Sequence, residues 1–249
     1  MEKNYYKDYY KLEREHWWFR ARGEMLIEHL AAVFEGKKDL KILNIGAATG
    51  RSSELLMSLG DVRSIEYDAD CFAFTRDVVG IPIQQGSILE LPFTDEMFDL
   101  VCAFDVIEHV EDDNLAVSEM RRVAKSGGVL CVTVPAFMFL WSEHDVVNHH
   151  YRRYTSKILR GLFESSDKLI FHSYFNFWLF FPIAAFRLLA NVFSKGKKTL
   201  PEEAASDFEN FKGGFFNTIF YRIFKSEHIF LTHRIRLPVG VSILSTWRK

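Results

Sequence analysis

The stretch "KILNIGAATGRSS", residues 41–53, decides the fold. It begins with a short strand-like run, "KILNI", passes through a turn of small residues, and continues into the helical segment "RSSELLMSLG". A strand that leads through a glycine-rich turn into a helix directs backbone N–H groups and the positive end of the helix dipole at an anionic group. The stretch therefore predicts a ligand site at the end of the first strand.

Short strand-like runs and helical segments alternate through the first half of the chain. Four further runs follow the first, each bounded by Gly, Pro or Asp: "VRSIE", "IPIQQ", "FDLVCAF" and "GGVLCVTV". Nearly continuous apolar runs of this length are typical of strands that are buried on both faces. The alternation predicts an α/β fold with a doubly wound, mostly parallel sheet, whose ligands bind outside the carboxyl ends of the strands.

Three kinds of ligand compete for the glycine turn. A phosphate-binding P-loop needs a lysine after its last glycine, but Gly50 is followed by Arg51. A dinucleotide site needs glycines at i, i+2 and i+5, whereas Gly46 is followed there by Ala48 and Arg51. Glu66, at the end of "VRSIE", stands where a carboxylate binds the hydroxyls of a ribose. The turn therefore favours a nucleoside with a small anionic tail.

Four motifs in order resemble those of the class I S-adenosylmethionine-dependent methyltransferases. They are "ILNIGAATG", "IEYD", "GSILELPFTDEMFDLV" and "FDVIEHVEDD". The resemblance covers roughly residues 10–175 and the last strand, and "HWWFRARGEML" near the N-terminus resembles the lead-in of a bacterial small-molecule subgroup. It implies S-adenosylmethionine as cofactor, a Rossmann-like seven-stranded sheet with an antiparallel last strand, and a cofactor pocket capped by the lead-in.

The resemblance also assigns the cofactor contacts. The glycine loop would surround the methionine moiety, Glu66 would bind the ribose hydroxyls, Tyr67 would cover one face of the adenine, and Ser87 with Ile88 would border its edge. The cofactor-binding residues expected in this way are Asn44, Gly46, Ala47, Ala48, Gly50, Glu66, Tyr67, Ser87, Ile88 and Asp105. Three of them depart from the family pattern, because Asn44 replaces an acid, Ala48 a glycine and Ser87 an aspartate. Asparagine still accepts a hydrogen bond and Ala48 adds one methyl group, so we expect cofactor binding to survive.

The candidate catalytic residues follow the fourth and fifth strands. Methyl transfer from a sulfonium is an in-line displacement, so catalysis consists mainly of orienting the acceptor, with a base where the acceptor is a hydroxyl. We expect His109, His144 and Asp145 to be the catalytic residues, since histidine titrates near neutral pH. A structural role for His109 at the start of a helix is an equal alternative.

The segment "EHDVVNHHYRRYT", residues 143–155, concentrates polar side chains above the fifth strand. Its spacing predicts no metal site, because adjacent histidines point apart on either a helix or a strand. Arginine meets phosphate or carboxylate with paired donors. The segment is therefore predicted to be a substrate clamp, with a hydrogen-bonded structural loop as the alternative. The clamp residues are His149, His150, Tyr151, Arg152 and Arg153.

An aromatic insertion separates the sixth strand, "KLIFHSYFN", from the last strand, "PVGVSILSTWRK". Fourteen of the 24 phenylalanines lie between Phe171 and Phe230. We divide the chain into a helical cap (1–36), a core (37–175 and 235–249) and a helical insertion (176–234). Arg187 disfavours a membrane crossing. The insertion is read as a lid or substrate wall, as an interfacial anchor through residues 176–198, or as an oligomer interface. In the anchor interpretation three lysines lie near the lipid headgroups: Lys195, Lys197 and Lys198.

Composition limits the function classes. A formal charge of -2 and the lack of a basic stripe argue against nucleic acid as a partner. Cys71, Cys102 and Cys131 lie in apolar stretches without metal-site spacing, which predicts reduced core residues in a cytoplasmic protein. We therefore expect a methyltransferase that acts on a small or lipid-like acceptor, at oxygen. The alternatives are an RNA or protein methyltransferase, and a non-catalytic binding or assembly protein on a methyltransferase scaffold.

Overall fold

The computed structural model describes residues 3–193 and 214–249. Within these residues seven strands form one sheet, in the order β3-β2-β1-β4-β5-β7-β6. The strands are β1 Leu40–Ile45, β2 Gly60–Glu66, β3 Ile83–Gln85, β4 Phe98–Phe104, β5 Ala124–Pro135, β6 Lys168–Phe175 and β7 Ser242–Arg248.

The strand pairing confirms the predicted fold class. Strands β1 to β5 pair in parallel, and β7 lies antiparallel between β5 and β6. The strand order reverses between β1 and β4, which pair with each other. The connections from these two strands leave in opposite directions, so a crevice opens at their carboxyl ends, where ligands bind in sheets of this kind.

Helices cover both faces of the sheet. In the described residues they are α1 Lys3–Glu15, α2 Trp17–Val33, α3 Arg51–Leu56, α4 Ala69–Phe74, α5 Asp113–Val123, α6 Glu143–Val147, α7 Ser156–Gly161, α8 Phe180–Phe193, α9 Gly214–Lys225 and α10 His228–Thr232. Glycines often follow the last residue of a helix, but helix α5 ends at Val123, before the glycine pair at 127–128. The backbone from Ala124 onward instead joins the sheet, where Ala124 pairs with Phe98 of β4. Strand pairing thus overrides the local helical pattern at this point.

The core consists of two apolar layers, one on each face of the sheet. Leu43, Val101 and Leu130 point to one face, where they pack with residues of α5. The alternate residues of the same strands point to the other face and pack with α2 and α9. Cys71, Cys102 and Cys131 are buried free thiols, as predicted for core residues.

The break between α1 and α2 is held by a residue of the insertion. Helix termini leave backbone groups without intrahelical partners. At this corner the Asn217 side chain of α9 accepts a hydrogen bond from the Trp17 amide at 2.7 Å and donates one to the Glu15 carbonyl at 3.0 Å. Further along α9, Tyr221 donates a hydrogen bond to Glu24 of α2. The insertion therefore fixes the direction in which α1 runs over the core.

Candidate functional site

A cavity of about 1680 Å³ opens at the carboxyl ends of β1, β2 and β4. Its walls come from the glycine loop, the residues after β4, the segment 143–153, helices α1 and α2, and helix α8. Pockets for one small ligand typically measure about 300–1,000 Å³. The cavity therefore has room for a nucleoside cofactor together with an acceptor.

The glycine loop approaches β4 closely. Gly46 has φ +67°, and a Cβ built there would lie 2.5 Å from the side chain of Val106, the second residue after β4. Ala48, at φ +47°, occupies a backbone region that favours glycine, which explains why a glycine is usual at this position. Glycine at position 46 thus keeps the loop and the end of β4 in contact, with the cavity above them.

The Glu66 carboxylate is positioned by the glycine loop. It accepts hydrogen bonds from the Ala48 amide at 2.9 Å and the Asp68 amide at 3.0 Å, and it lines the cavity. Burial raises the pKa of Glu66, while these backbone donors act in the opposite direction. Each carboxylate oxygen keeps a second lone pair. The geometry suits acceptance of ribose hydroxyls, as the sequence predicts.

Seven of the ten predicted cofactor residues line the cavity, and three do not. Asn44, Ala47 and Gly50 lie behind the wall of the cavity. Asn44 is fully buried and donates hydrogen bonds to the hydroxyls of Ser52 and Ser53, both at 2.8 Å. The Asn44 side chain therefore ties the end of β1 to α3 and does not line the cavity. The seven residues that line the cavity are Gly46, Ala48, Glu66, Tyr67, Ser87, Ile88 and Asp105.

Helix α1 forms a wall over the glycine loop. Glu13 accepts a hydrogen bond from the Thr49 hydroxyl, and Tyr6 donates one to Asp68 at 2.7 Å. Arg14 forms an ion pair with Glu54 of α3. Burial raises the pKa of Glu13 to about 7, with the Thr49 hydrogen bond opposing the shift. Helix α1 thus contacts the glycine loop and its neighbouring segments through charged and hydroxyl groups.

Arg22 is a cavity residue that sequence reasoning missed. Its guanidinium forms a 2.6 Å ion pair with Asp105, donates to the Thr133 hydroxyl at 2.6 Å, and lies 4.8 Å from the ring centre of Trp18. Arg22 belongs to the lead-in "HWWFRARG", in which only the aromatic residues were predicted to pack on the core. Tertiary structure was needed because the partners of Arg22 follow β4 and lie within β5.

The donor groups of this cavity fit S-adenosylmethionine. Arg22 and Arg51 both line the cavity, and each has a buried Nε without a hydrogen-bond partner among the described residues. Guanidinium groups bind carboxylates with charge-assisted hydrogen bonds, so these two residues would hold the carboxylate of the methionine moiety. Glu66 would hold the ribose at the opposite end of the loop.

Asp145 and Arg153 form a buried ion pair in the segment 143–155. Arg153 donates from Nε at 2.8 Å and from Nη2 at 2.9 Å to the two oxygens of Asp145, and His150 Nδ1 lies 2.9 Å from the same carboxylate. Burial alone would raise the pKa of Asp145, but the hydrogen bonds from His150 and Arg153 hold it well below its usual range. Asp145 is therefore a poor proton acceptor, which argues against its predicted role as a catalytic base.

Arg152 and Arg153, two of the five residues of the predicted anion clamp, are engaged by acids of this chain. Arg152 does not line the cavity; it forms a 2.9 Å ion pair with Asp113 and donates to the Glu111 carbonyl at 2.6 Å. Arg153 lines the cavity, but its Nε and Nη2 donate to Asp145 and its Nη1 donates to the Ala136 carbonyl. Both guanidinium groups are thus committed to acids of this chain. The alternative, a hydrogen-bonded structural loop, describes their contacts.

Histidines from the turn after β4 and from the segment 143–155 line one part of the cavity, which we call its acceptor side. The rings of His109 and His150 meet edge to face, with centroids 4.5 Å apart, and His144 lies 6.2 Å from His150. His109 faces the cavity, but the protein around it desolvates the ring and, with the charge of His150, lowers its pKa to about 4. His149 has φ +56° and is exposed, and it lines the same cavity as His150. The lowered pKa keeps His109 neutral near pH 7 and makes its ring a weaker base than a free imidazole.

Glu108 is a buried acid beside these histidines. It is fully buried, and neither carboxyl oxygen has a hydrogen-bond partner among the described residues. Burial and the nearby charge of Asp105 raise the pKa of Glu108 well above its usual range.

The insertion contributes an apolar wall. Four apolar residues in and just before α8 line the cavity, Leu179, Pro182, Ile183 and Phe186, and they are accompanied there by Asn176 and Arg187. Among residues 3–193 and 214–249, no helix combines the length and apolar character needed to cross a membrane. Lys195, Lys197 and Lys198, placed by the anchor interpretation near headgroups, lie outside the described residues.

Comparison with known proteins bears out the resemblance. Residues 43–132 match a family model described as a methyltransferase domain. A probable S-adenosylmethionine-dependent methyltransferase from Mycolicibacterium smegmatis is 34% identical over 126 residues, which cover 50% of this chain and 48% of that protein. A probable chloroplastic tocopherol O-methyltransferase from Oryza sativa is 31% identical over 133 residues, which cover 45% of this chain and 35% of that protein. The chain spans about half, or less, of the length of these curated relatives.

A solved structure shares the fold over most of the chain. The protein named "putative sarcosine dimethylglycine methyltransferase", from Galdieria sulphuraria, superposes with a TM-score of 0.59 at 16% identity. The match covers 92% of this chain and 85% of that one. At this level of identity the similarity describes the architecture alone.

Proposed function

We propose that this chain, which contains a class I S-adenosylmethionine-dependent methyltransferase domain, transfers a methyl group to an oxygen atom of a small or lipid-like acceptor. The proposal rests on two groups of polar residues that line one cavity. Glu66 and the glycine loop line one side, while His109 and His144 line another. When bound, S-adenosylmethionine supplies an electrophilic methyl group.

The residues of the chain have two tasks in this reaction. Glu66, Arg22 and Arg51 hold the two polar ends of the cofactor, which fixes its position before the acceptor arrives. His109 and His144 orient the acceptor hydroxyl, and one of the two imidazoles accepts its proton. Side chains that orient the reactants are sufficient, because methyl transfer from a sulfonium needs no covalent enzyme intermediate.

Two observations support an apolar acceptor that is methylated at oxygen. The wall formed by Leu179, Pro182 and Ile183 is apolar, and the cavity exceeds the volume that one small ligand needs. The rice relative is named as a tocopherol O-methyltransferase, which gives tocopherol as its acceptor and oxygen as the methylated atom. Tocopherol joins a hydroxyl to a large apolar body, which is the chemistry that this wall and the histidines together would accommodate.

Replacing the histidines is expected to lower turnover more than cofactor affinity. The measurement is methyl transfer to a panel of phenols with and without an apolar tail, alongside calorimetric titration with S-adenosylhomocysteine. We expect His109→Ala and His144→Ala to lower turnover by about 10²–10⁴, the range of general acid–base catalysis. His233→Ala, an exposed histidine that does not line the cavity, is the matched control. Unchanged turnover in both cavity variants would leave orientation by other groups as the mechanism, and no heat with S-adenosylhomocysteine would overturn the proposal itself.

A lipid-like acceptor also leads us to propose peripheral membrane contact through α8. Phe181, Phe186 and Leu189 of this helix are more than half exposed, and apolar residues exposed on one helix bind at membrane interfaces. We expect the protein to float with anionic vesicles, and Phe181→Ser/Leu189→Ser to reduce the floating fraction severalfold. Val78→Ser, an exposed apolar residue outside the insertion, is the control. Absence of the wild-type protein from the vesicle fraction would refute the membrane contact.

A further inference from the structure

Glu108, His109 and His150 bring three metal-ligating side chains to one wall of the cavity. One ligand atom from each lies within 4.8 Å of the others, and all three residues line the cavity. Glu108 and His109 belong to the turn after β4, whereas His150 precedes α7. A hydrogen bond of 2.8 Å from the Tyr151 amide to the Glu108 carbonyl holds the two segments together. The cluster is therefore a fixed feature of the fold.

The Glu108 carboxyl group lacks the partners that a buried acid requires. It is fully buried, and both of its oxygens are without a hydrogen-bond partner among the described residues. Burying a polar group without compensation costs about 1–3 kcal/mol, and an unpaired charge costs far more. A cation bound between Glu108 and the two imidazoles would supply the missing interaction.

Each histidine of the cluster has one ring nitrogen engaged by the segment 143–155. His150 Nδ1 lies 2.9 Å from the Asp145 carboxylate, which is itself fixed by Arg153. His109 hydrogen-bonds to the backbone of Asn148. In metal sites, ligating histidines characteristically donate their second N–H to a carboxylate or a backbone carbonyl, which sets the tautomer and leaves the other nitrogen for the ion. Both histidines have this arrangement.

We propose that Glu108, His109 and His150 bind a divalent transition-metal ion. Two imidazoles and a carboxylate suit Zn²⁺, Co²⁺ or Fe²⁺, whereas Ca²⁺ and Mg²⁺ prefer sites made of oxygen ligands. Tetrahedral ligands at about 2.1 Å from an ion are about 3.4 Å apart, so binding requires the three side chains to close by about 1.4 Å. The remaining coordination position would face the cavity, where an acceptor oxygen could bind.

The inference goes beyond the proposed methyl transfer and does not depend on it. A bound ion would use the lone pair of His109 and would lower the pKa of an acceptor hydroxyl that coordinates it. His144 would then be the remaining base, and the lower turnover expected for His109→Ala holds with or without the ion. The prediction of no metal site, made from the segment 143–155 alone, would be wrong because two of the three ligands lie outside that segment.

Titration with Co²⁺ tests the site, since Co²⁺ reports its ligand geometry through visible absorption. The full-length protein is treated with a chelator, dialysed and titrated with CoCl₂, with competition by ZnCl₂. We expect one equivalent of Co²⁺ to bind, with an intense absorption typical of four-coordinate Co²⁺. His109→Ala, His150→Ala and Glu108→Gln should each weaken binding at least tenfold. His233→Ala, an exposed histidine outside the cluster, should bind like the wild type.

Two controls separate loss of the site from loss of the fold. His109 is exposed to the cavity, so His109→Ala should fold even if a change at buried Glu108 does not. Binding of S-adenosylhomocysteine, measured on the same samples, reports the integrity of the cofactor end and tests methyltransferase function separately. The proposal is overturned if the wild-type protein binds no Co²⁺, or if folded His109→Ala and His150→Ala retain wild-type affinity, which would indicate adventitious binding by other histidines.

Discussion

Asp145→Ala is expected to lower the free energy of unfolding by about 3–5 kcal/mol, the usual effect of removing one partner of a buried ion pair. The carboxylate is fully buried, and Arg153 is only 7% exposed. Without Asp145, the guanidinium keeps one hydrogen bond within residues 3–193 and 214–249, to the Ala136 carbonyl at 3.3 Å. The substitution also releases His150, whose ring is oriented by the same carboxylate. Chemical unfolding, followed by circular dichroism, gives the change directly.

A double-variant cycle identifies the ion pair as the cause. Arg153→Met keeps most of the volume of the side chain and removes its charge, so the buried aspartate loses its main partner. In the double variant neither charge remains, and the loss should be about 0.5–3 kcal/mol smaller than the sum of the single losses. Glu143→Ala, an exposed position in the same helix, should change the free energy of unfolding by less than about 0.5 kcal/mol. Strict additivity of the two single changes would contradict this account.

The second large effect is expected at Glu66, where Glu66→Ala should raise the Kd for S-adenosylhomocysteine by about 10- to 150-fold. That range corresponds to the loss of about 1.5–3 kcal/mol for hydrogen bonds to a charged group. The substitution removes both the expected ribose contact and the acceptor of the Ala48 amide. Calorimetric titration measures the affinity, and a thermal unfolding scan of the same sample shows whether the loop has also been destabilised.

Two further substitutions distinguish ligand binding from loop positioning. Glu66→Gln keeps an oxygen that can accept from the Ala48 amide but removes the charge and the acceptor of the Asp68 amide, so we expect an intermediate affinity with a small decrease in melting temperature. Glu90→Gln alters an exposed carboxylate outside the cavity and should leave the affinity unchanged. If Glu66→Ala binds S-adenosylhomocysteine as tightly as the wild type, the ribose assignment is wrong.

The polar segment 143–155 forms ion pairs with acids of this chain and also lines part of the cavity. Arg152 and Arg153 are paired with Asp113 and Asp145, so they stabilise the loop and are not available to clamp an acceptor. The histidines of the segment behave differently from its arginines. His144 and His150 line the cavity, next to His109. The segment therefore supplies imidazoles to the acceptor side and uses its charged pairs to hold them in position.

The sequence by itself determined the sheet and the cofactor end of the cavity. Strand periodicity, the glycine turn and the carboxylate at position 66 are local patterns, and the interactions that they imply lie between neighbouring strands. Gly46 and Glu66 both line the cavity, and their contacts with a cofactor stay predictions. Asn44 is an exception, because the small distance between its side chain and those of Ser52 and Ser53 cannot be read from one strand.

Only the tertiary structure decided which charged groups and histidines lie together at the acceptor side of the cavity. Whether an arginine binds a substrate or an internal acid depends on which acids the fold places beside it, and the partners of Arg22 and Arg152 are distant in sequence. The same holds for Glu108 and His150, which converge from segments that follow different strands. Periodicity fixes which face of an element a side chain occupies, but contacts between loops are set by how the elements pack. For that reason the partners of charged groups on loops are known only once the chain is folded.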